Sequence, residues 1–121
     1  YTEPESAVGF WIALEEATIE NGCLWVASGG HKGSLRKLFT RIKGKMEMIT
    51  KDLTPFEETD TPLEVQKGTL VLLHGRLPHY SCENRSKKSR HAYSLHVIDG
   101  NSLYPKENWL QRSSLPLKGF I

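Results

Sequence analysis

The 121-residue sequence is poor in cysteine and has no long apolar run. Two cysteines, Cys23 and Cys82, cannot form a disulfide framework or a four-thiolate zinc site. We therefore expect both to be reduced, small, buried side chains. No apolar run approaches the roughly 20 residues that a membrane-spanning helix needs, so we expect no membrane span.

A strong excess of one charge is also lacking, since 16 Lys and Arg face 14 Asp and Glu. This balance excludes a generally basic nucleic-acid-binding protein. Hydrophobic residues make up 38% and charged residues 25%, as in soluble globular chains. The length fits one domain over residues 1–121, large enough to bury a core.

Apolar residues alternate with a period of two along much of the chain, which predicts strands rather than helices. Turn-forming residues such as Asn21-Gly22 separate the apolar segments. Strands are predicted over residues 7–14, 23–27, 69–73, 79–83 and 92–98. A loop-like tail follows over residues 99–121. This arrangement predicts an all-β sandwich or jelly roll.

One segment has helical spacing instead. Leu35, Leu38, Phe39 and Ile42 occupy the i, i+3, i+4 and i+7 positions of a helix face. Ser34 suits the N-cap. The sequence therefore predicts one short helix here, with the basic residues between positions 31 and 45 on a solvated face. The acidic residues between positions 52 and 64 predict that the chain runs over the surface in a long loop.

Histidines and arginines cluster around the last predicted strands. His74 and His79 flank a turn, and Arg85 and Arg90 follow at the same separation from each. A non-haem Fe(II) oxygenase binds iron through two histidines and a carboxylate, and an arginine suits a dicarboxylate co-substrate. Arg90 opens a clear strand, whereas Arg85 lies in a polar turn, so context favours His79 with Arg90.

Several stretches together resemble the phytanoyl-CoA dioxygenase family. They are YTEP (1–4), WIALEEATIENGCLW (11–25), GGHKGS (29–34), KGTLVLLHGRLPHYS (67–81), SRHAYSLHVID (89–99) and ENWLQ (107–111). The resemblance implies a double-stranded β-helix (a jelly-roll, cupin-like fold), bound Fe(II) and 2-oxoglutarate as co-substrate. It also implies a small-molecule substrate, of the acyl-CoA or another lipid-like class.

By position, the resemblance implies roles for four residues. His79 matches the second metal-binding histidine, and Arg90 the residue that pairs with the distal carboxylate of 2-oxoglutarate. Ser81 matches a hydroxyl donor to that carboxylate, and Trp11 a wall of the co-substrate pocket. Each residue also has a purely structural alternative. His79 could be a histidine packed at a sheet corner, and Arg90 a charge on an edge strand. Ser81 could serve its own turn, and Trp11 the core.

The sequence departs from the family at its first metal ligands, which form a His-x-Asp pair just upstream of the YTEP stretch. No His-x-Asp or His-x-Glu occurs in this chain. We therefore expect the chain to be the C-terminal part of a longer dioxygenase, carrying one of three iron ligands and inactive by itself. The alternative hypothesis is a non-catalytic β-sandwich that binds a small carboxylate or a protein partner.

The last five residues, LKGFI, differ from the Ser-Lys-Leu ending of peroxisomal proteins. We therefore expect an intracellular protein that is cytoplasmic rather than peroxisomal.

Overall fold

A computed structural model of the chain describes residues 1–112, 114, 117 and 119. Across these residues the structure is built from strands and one 3-10 turn, Gly30–Lys32. The strands are β1 (Val8–Ala13), β2 (Leu24–Val26), β3 (Lys37–Ile42), β4 (Lys45–Thr50), β5 (Thr61–Leu63), β6 (Leu70–His74), β7 (His79–Ser81) and β8 (Ala92–Val97). The predicted all-β fold of the jelly-roll, cupin-like type is confirmed.

The strands form two three-stranded antiparallel sheets and a hairpin. One sheet has the order β6-β1-β8, and the other has the order β5-β2-β7. Both sheets pair strands that are distant in sequence, as expected for a jelly roll. The third unit is the β3-β4 hairpin.

The core lies between the two three-stranded sheets. Trp11 and Leu73 of the first sheet belong to the same buried cluster as Leu24 and Val26 of the second. Along β1 the buried residues alternate with half-buried ones, so one face of the strand lies against the core. This face carries Trp11.

The helix predicted over residues 35–42 is wrong. Residues in this segment form β3, which pairs with β4 over six residues on each strand, from Lys37 opposite Thr50 to Ile42 opposite Lys45. Lys43 and Gly44 connect the strands with φ angles of 49° and 82°. Two successive positive φ angles form the two-residue turn whose twist matches a hairpin. The apolar residues Leu38, Phe39 and Ile42, whose spacing fits a helix face, therefore lie on a strand.

Long-range contacts fix the hairpin to the rest of the domain. Thr40 is buried, and its hydroxyl donates a hydrogen bond of 2.6 Å to the carbonyl of Glu107. The amide of Arg41 donates to the same carbonyl at 2.7 Å. The predicted loop-like tail therefore supports the hairpin with its first part, while from position 113 onward only residues 114, 117 and 119 are described.

The two cysteines differ in exposure. Both are free, as predicted, and Cys23 is buried as expected. The prediction that Cys82 is buried is wrong, because it lies beyond the end of β7, where the chain leaves the sheet. Within the part of the chain that the structure describes, no helix has the length and apolarity to cross a membrane.

Candidate active site

His79 opens β7, and its partner across the sheet fixes the direction in which it faces. Its antiparallel partner is Val26, and Ser81 is paired with Leu24 in the same way. Directly opposed residues in a sheet share a face. Since Val26 and Leu24 belong to the core cluster with Trp11, His79 and Ser81 lie on the sheet face that is turned towards the other sheet.

The intervening residue, Tyr80, lies on the opposite face. Its ring stacks on that of Trp25, with ring centroids 6.2 Å apart and the planes inclined by 12°. The stacked rings hold β7 against β2 on the face opposite to His79. It fixes the alternation of the short strand, so that His79 and Ser81 both remain on the inner face.

A backbone contact sets the tautomer of the His79 ring. Nδ1 lies 2.8 Å from the carbonyl oxygen of Leu77. A carbonyl oxygen only accepts, so Nδ1 carries the hydrogen and donates it. In the neutral ring, Nε2 then has a free lone pair, as a metal ligand requires. The side chain is also exposed, so that Nε2 is accessible.

Arg90 lies outside the strands, two residues before β8 of the first sheet. Its Cζ is 5.7 Å from the centre of the Trp11 ring, a cation–π contact. Its Nε is buried and has no hydrogen-bond acceptor among the described residues. Buried guanidinium nitrogens are normally paired, so Arg90 is not committed to a partner within the described residues.

Arg90 also influences the thiol of Cys23, which directly precedes β2. Burial raises the pKa of this thiol, and Glu64 raises it further. The positive charge of Arg90 opposes the shift.

The structure brings Trp11 and Arg90 into contact and places His79 and Ser81 on the opposing sheet face. No hydrogen bond in the described part of the chain joins either pair to the other.

The competing pair, His74 and Arg85, has a different environment. Arg85 is 80% exposed and pairs with Glu83 at 2.8 Å, while Nδ1 of His74 accepts from the amide of Arg76 at 3.1 Å. These contacts favour His79 and Arg90 as the residues to test.

Comparison with known proteins decides the family. A family model described as phytanoyl-CoA dioxygenase matches residues 1–92, which include all four candidate residues. The chain belongs to the phytanoyl-CoA dioxygenase family.

Individual relatives extend this match almost to the end of the chain. Phytanoyl-CoA dioxygenase of Arabidopsis thaliana is 44% identical over 119 residues, covering 96% of this chain and 41% of the relative. Phytanoyl-CoA dioxygenase 1 of rice, Oryza sativa subsp. japonica, is 47% identical, covering 96% and 42%. Phytanoyl-CoA dioxygenase domain-containing protein 1 of Danio rerio is 39% identical, covering 92% and 40%. The chain thus spans about two fifths of the length of these relatives.

No three-ligand metal site is present in the described part of the chain. Among these residues, no group of three or more His, Cys, Asp and Glu side chains is placed to hold a metal ion. His79 is therefore not part of such a group there.

Sequence reasoning missed a buried arginine and its ion pair near His79. Arg36 was expected on a solvated helix face, but its side chain is only 4% exposed. Its Nη1 and Nη2 donate to the two carboxylate oxygens of Glu57 at 2.8 Å and 2.5 Å. The sequence does carry a sign of this pair, because a basic segment is followed by an acidic one. Opposite charges in such segments can pair when the chain folds back on itself.

Proposed function

We propose that this chain contributes the co-substrate site and one iron ligand of an Fe(II)- and 2-oxoglutarate-dependent dioxygenase. The observation that carries the proposal is the guanidinium of Arg90, which rests on Trp11 and has no hydrogen-bond acceptor or carboxylate partner among the described residues. A planar guanidinium with free donors matches the two oxygens of a carboxylate.

Each candidate residue has a distinct task in this proposal. Arg90 pairs with the distal carboxylate of 2-oxoglutarate, and Trp11 holds the guanidinium plane in place. Ser81 donates its hydroxyl to the same carboxylate. His79 offers Nε2 to the iron, since Nδ1 is engaged by the carbonyl of Leu77 at 2.8 Å.

Iron and 2-oxoglutarate, when bound, supply oxidative chemistry in which O2 converts the 2-oxo acid to succinate and CO2 and hydroxylates a substrate C–H bond. The protein's residues bind and orient these groups and shield them from water. The remaining iron ligands, a histidine and a carboxylate, are proposed to come from residues outside the 121 described by this sequence. The names of the relatives support a small-molecule substrate of the acyl-CoA or another lipid-like class. A cytoplasmic location remains part of the proposal.

The test is succinate formation by the complete natural protein. The assay compares the parent with Arg90→Met and with Arg85→Met, a matched change at an exposed arginine. We expect Fe(II)-dependent conversion of 2-oxoglutarate to succinate in the parent and in Arg85→Met, and its loss in Arg90→Met. Turnover that is absent from the parent under all metal conditions contradicts the proposal and favours the carboxylate-binding β-sandwich.

A further inference from the structure

A cavity of about 240 Å³ is lined in part by His79. It is formed where the start of β3 meets the turn between β6 and β7. The side chains that matter for its chemistry are Ser34, Arg36, Lys37, Phe56, Arg76 and His79. Three of these six are permanent cations at neutral pH.

Arg36 is held rigidly in the wall of this cavity. Glu57 occupies its two terminal nitrogens, as described above, but Nε is buried and has no acceptor among the described residues. Gly33 lies so close that a Cβ at this position would overlap Nη2 of Arg36. The guanidinium is therefore fixed in position, with one donor unused.

Arg76 is fixed by other contacts. Its Nε forms an ion pair of 2.6 Å with Glu5. Its Nη1 donates to the carbonyl of Gly33 at 2.7 Å. The side chain is 31% exposed, so part of the guanidinium faces solvent in the cavity.

Lys37 is the third cation of the cavity. It is exposed, and within the described ranges no carboxylate lies within 4.0 Å of its ammonium group. Its Nζ lies 5.9 Å from the centre of the Phe56 ring, and Cζ of Arg36 lies 5.1 Å from the same ring. Both cations thus flank one apolar wall of the cavity.

Asp52 is a further acid beside this wall. Its carboxylate accepts hydrogen bonds from the hydroxyl of Ser34, which lines the cavity, and from the amide of Thr54, the latter at 2.8 Å. Glu57 and Glu5 each pair with one arginine. Lys37 is therefore the cation of this cavity that is free to pair with an anion from solution.

We propose that this cavity binds one anionic group, a carboxylate or a phosphate, with Lys37 as its counter-ion and the partly exposed Arg76 as a supporting donor. Rigid cations beside an aromatic wall favour charge-assisted hydrogen bonds to such a group. The further assignment of this anion to the substrate rests on the proposed function, because His79 lines the same cavity.

The experiment is an NMR titration of the 121-residue chain with inorganic phosphate and, separately, with acetate, at constant ionic strength maintained with chloride. We expect saturable shifts of the amides of residues 33–37 and 75–79. Lys37→Met should weaken the binding about tenfold or more, the effect of losing one charge-assisted hydrogen bond. Lys43→Met, in the exposed turn of the same hairpin, is the matched control and should bind as the parent does.

The outcomes distinguish the ligands and the two proposals. Tighter Lys37-dependent binding of phosphate identifies a phosphorylated ligand, and tighter binding of acetate identifies a carboxylate. Absence of saturable shifts, or equal binding by the parent and Lys37→Met, overturns the proposal. The succinate assay described above tests the proposed function separately. If Arg90→Met retains Fe(II)-dependent succinate formation while phosphate still binds in a Lys37-dependent way, the anion site stands and the proposed function fails.

Discussion

The guanidinium of Arg90 rests on the ring of Trp11, with Cζ 5.7 Å from the ring centre. This contact links two residues that are remote in sequence but adjacent in the first sheet, where Trp11 pairs with Ser94 of β8. It leaves Nε of Arg90 buried without an acceptor among the described residues. The relationship explains why a tryptophan, rather than an aliphatic residue, suits this core position.

Replacing Trp11 should therefore show whether its ring only packs in the core or also positions Arg90. Trp11→Phe keeps an aromatic face under Arg90, whereas Trp11→Leu removes it and leaves an apolar side chain. Cation–π contacts contribute about 0.5–2 kcal/mol, so we expect Trp11→Leu to weaken 2-oxoglutarate binding several-fold and Trp11→Phe to weaken it less. Calorimetric titration measures both. Equal affinities of the two variants and the parent would show that the ring does not position Arg90.

The β3-β4 turn gives a prediction about stability. Gly44 has a φ of 82° and open space where a Cβ would lie, and Gly100 also has open space but no positive φ. Gly44→Ala should destabilise the fold by about 1 kcal/mol, because only the backbone conformation opposes the substitution. Gly100→Ala should change stability little. Urea unfolding of the two variants provides the comparison, and similar losses in both would argue against the hairpin turn described here.

Acid should weaken the segment that follows β4. Hydrogen bonds from Ser34 and Thr54 lower the pKa of Asp52 from 3.8 to about 2. Because the pKa in the folded state is the lower one, the stabilisation is complete above the ordinary value and is lost as the pH falls towards 2. The pKa of Glu57 is lowered by its hydrogen bonds to Arg36, which adds a change of the same sign.

Thermal unfolding between about pH 5 and about pH 2 tests this dependence. Asp52→Asn should make the decrease of the melting temperature over this range shallower than in the parent. Glu58→Gln, at an exposed neighbouring position, is the control and should leave the profile unchanged. Identical profiles for Asp52→Asn and the parent would contradict the assignment.

The two thiols should differ sharply in reactivity. Cys82 is exposed, whereas Cys23 is fully buried, and burial raises the pKa of the Cys23 thiol. Since the thiolate is the reactive form, iodoacetamide should modify one cysteine in the native protein and two after denaturation. Mass spectrometry should find the native label on Cys82. Native labelling that persists in Cys82→Ser would show that Cys23 is accessible.

The strands that carry the candidate site could be predicted because their apolar alternation is local. Residues 92–98 and 7–14 follow the period of two expected of strands, and the structure has β8 and β1 at these positions. The order of the strands in the sheets depends on pairings between distant segments, which alternation does not encode. The contact of Arg90 with Trp11 is a consequence of that order.

The β3-β4 hairpin could not be predicted in the same way. Lys43-Gly44 is not among the dipeptides most typical of two-residue turns, and the neighbouring apolar residues also fit a helix face. The burial of Arg36 depends on Glu57, which lies 21 residues further along the chain. Local patterns do not reveal such a partner, so this buried arginine was expected on a solvated basic face.

The most direct measurement is the affinity of Arg90→Met for 2-oxoglutarate and for 2-oxobutyrate, which lacks the distal carboxylate. The parent and Arg85→Met should both bind 2-oxoglutarate more tightly than 2-oxobutyrate. Loss of a desolvated charge pair costs about 2–5 kcal/mol, so Arg90→Met should bind 2-oxoglutarate about 30-fold more weakly or worse. It should also lose the preference between the two acids. If Arg90→Met binds 2-oxoglutarate as tightly as the parent does, Arg90 is not the carboxylate anchor and the proposed co-substrate site is wrong.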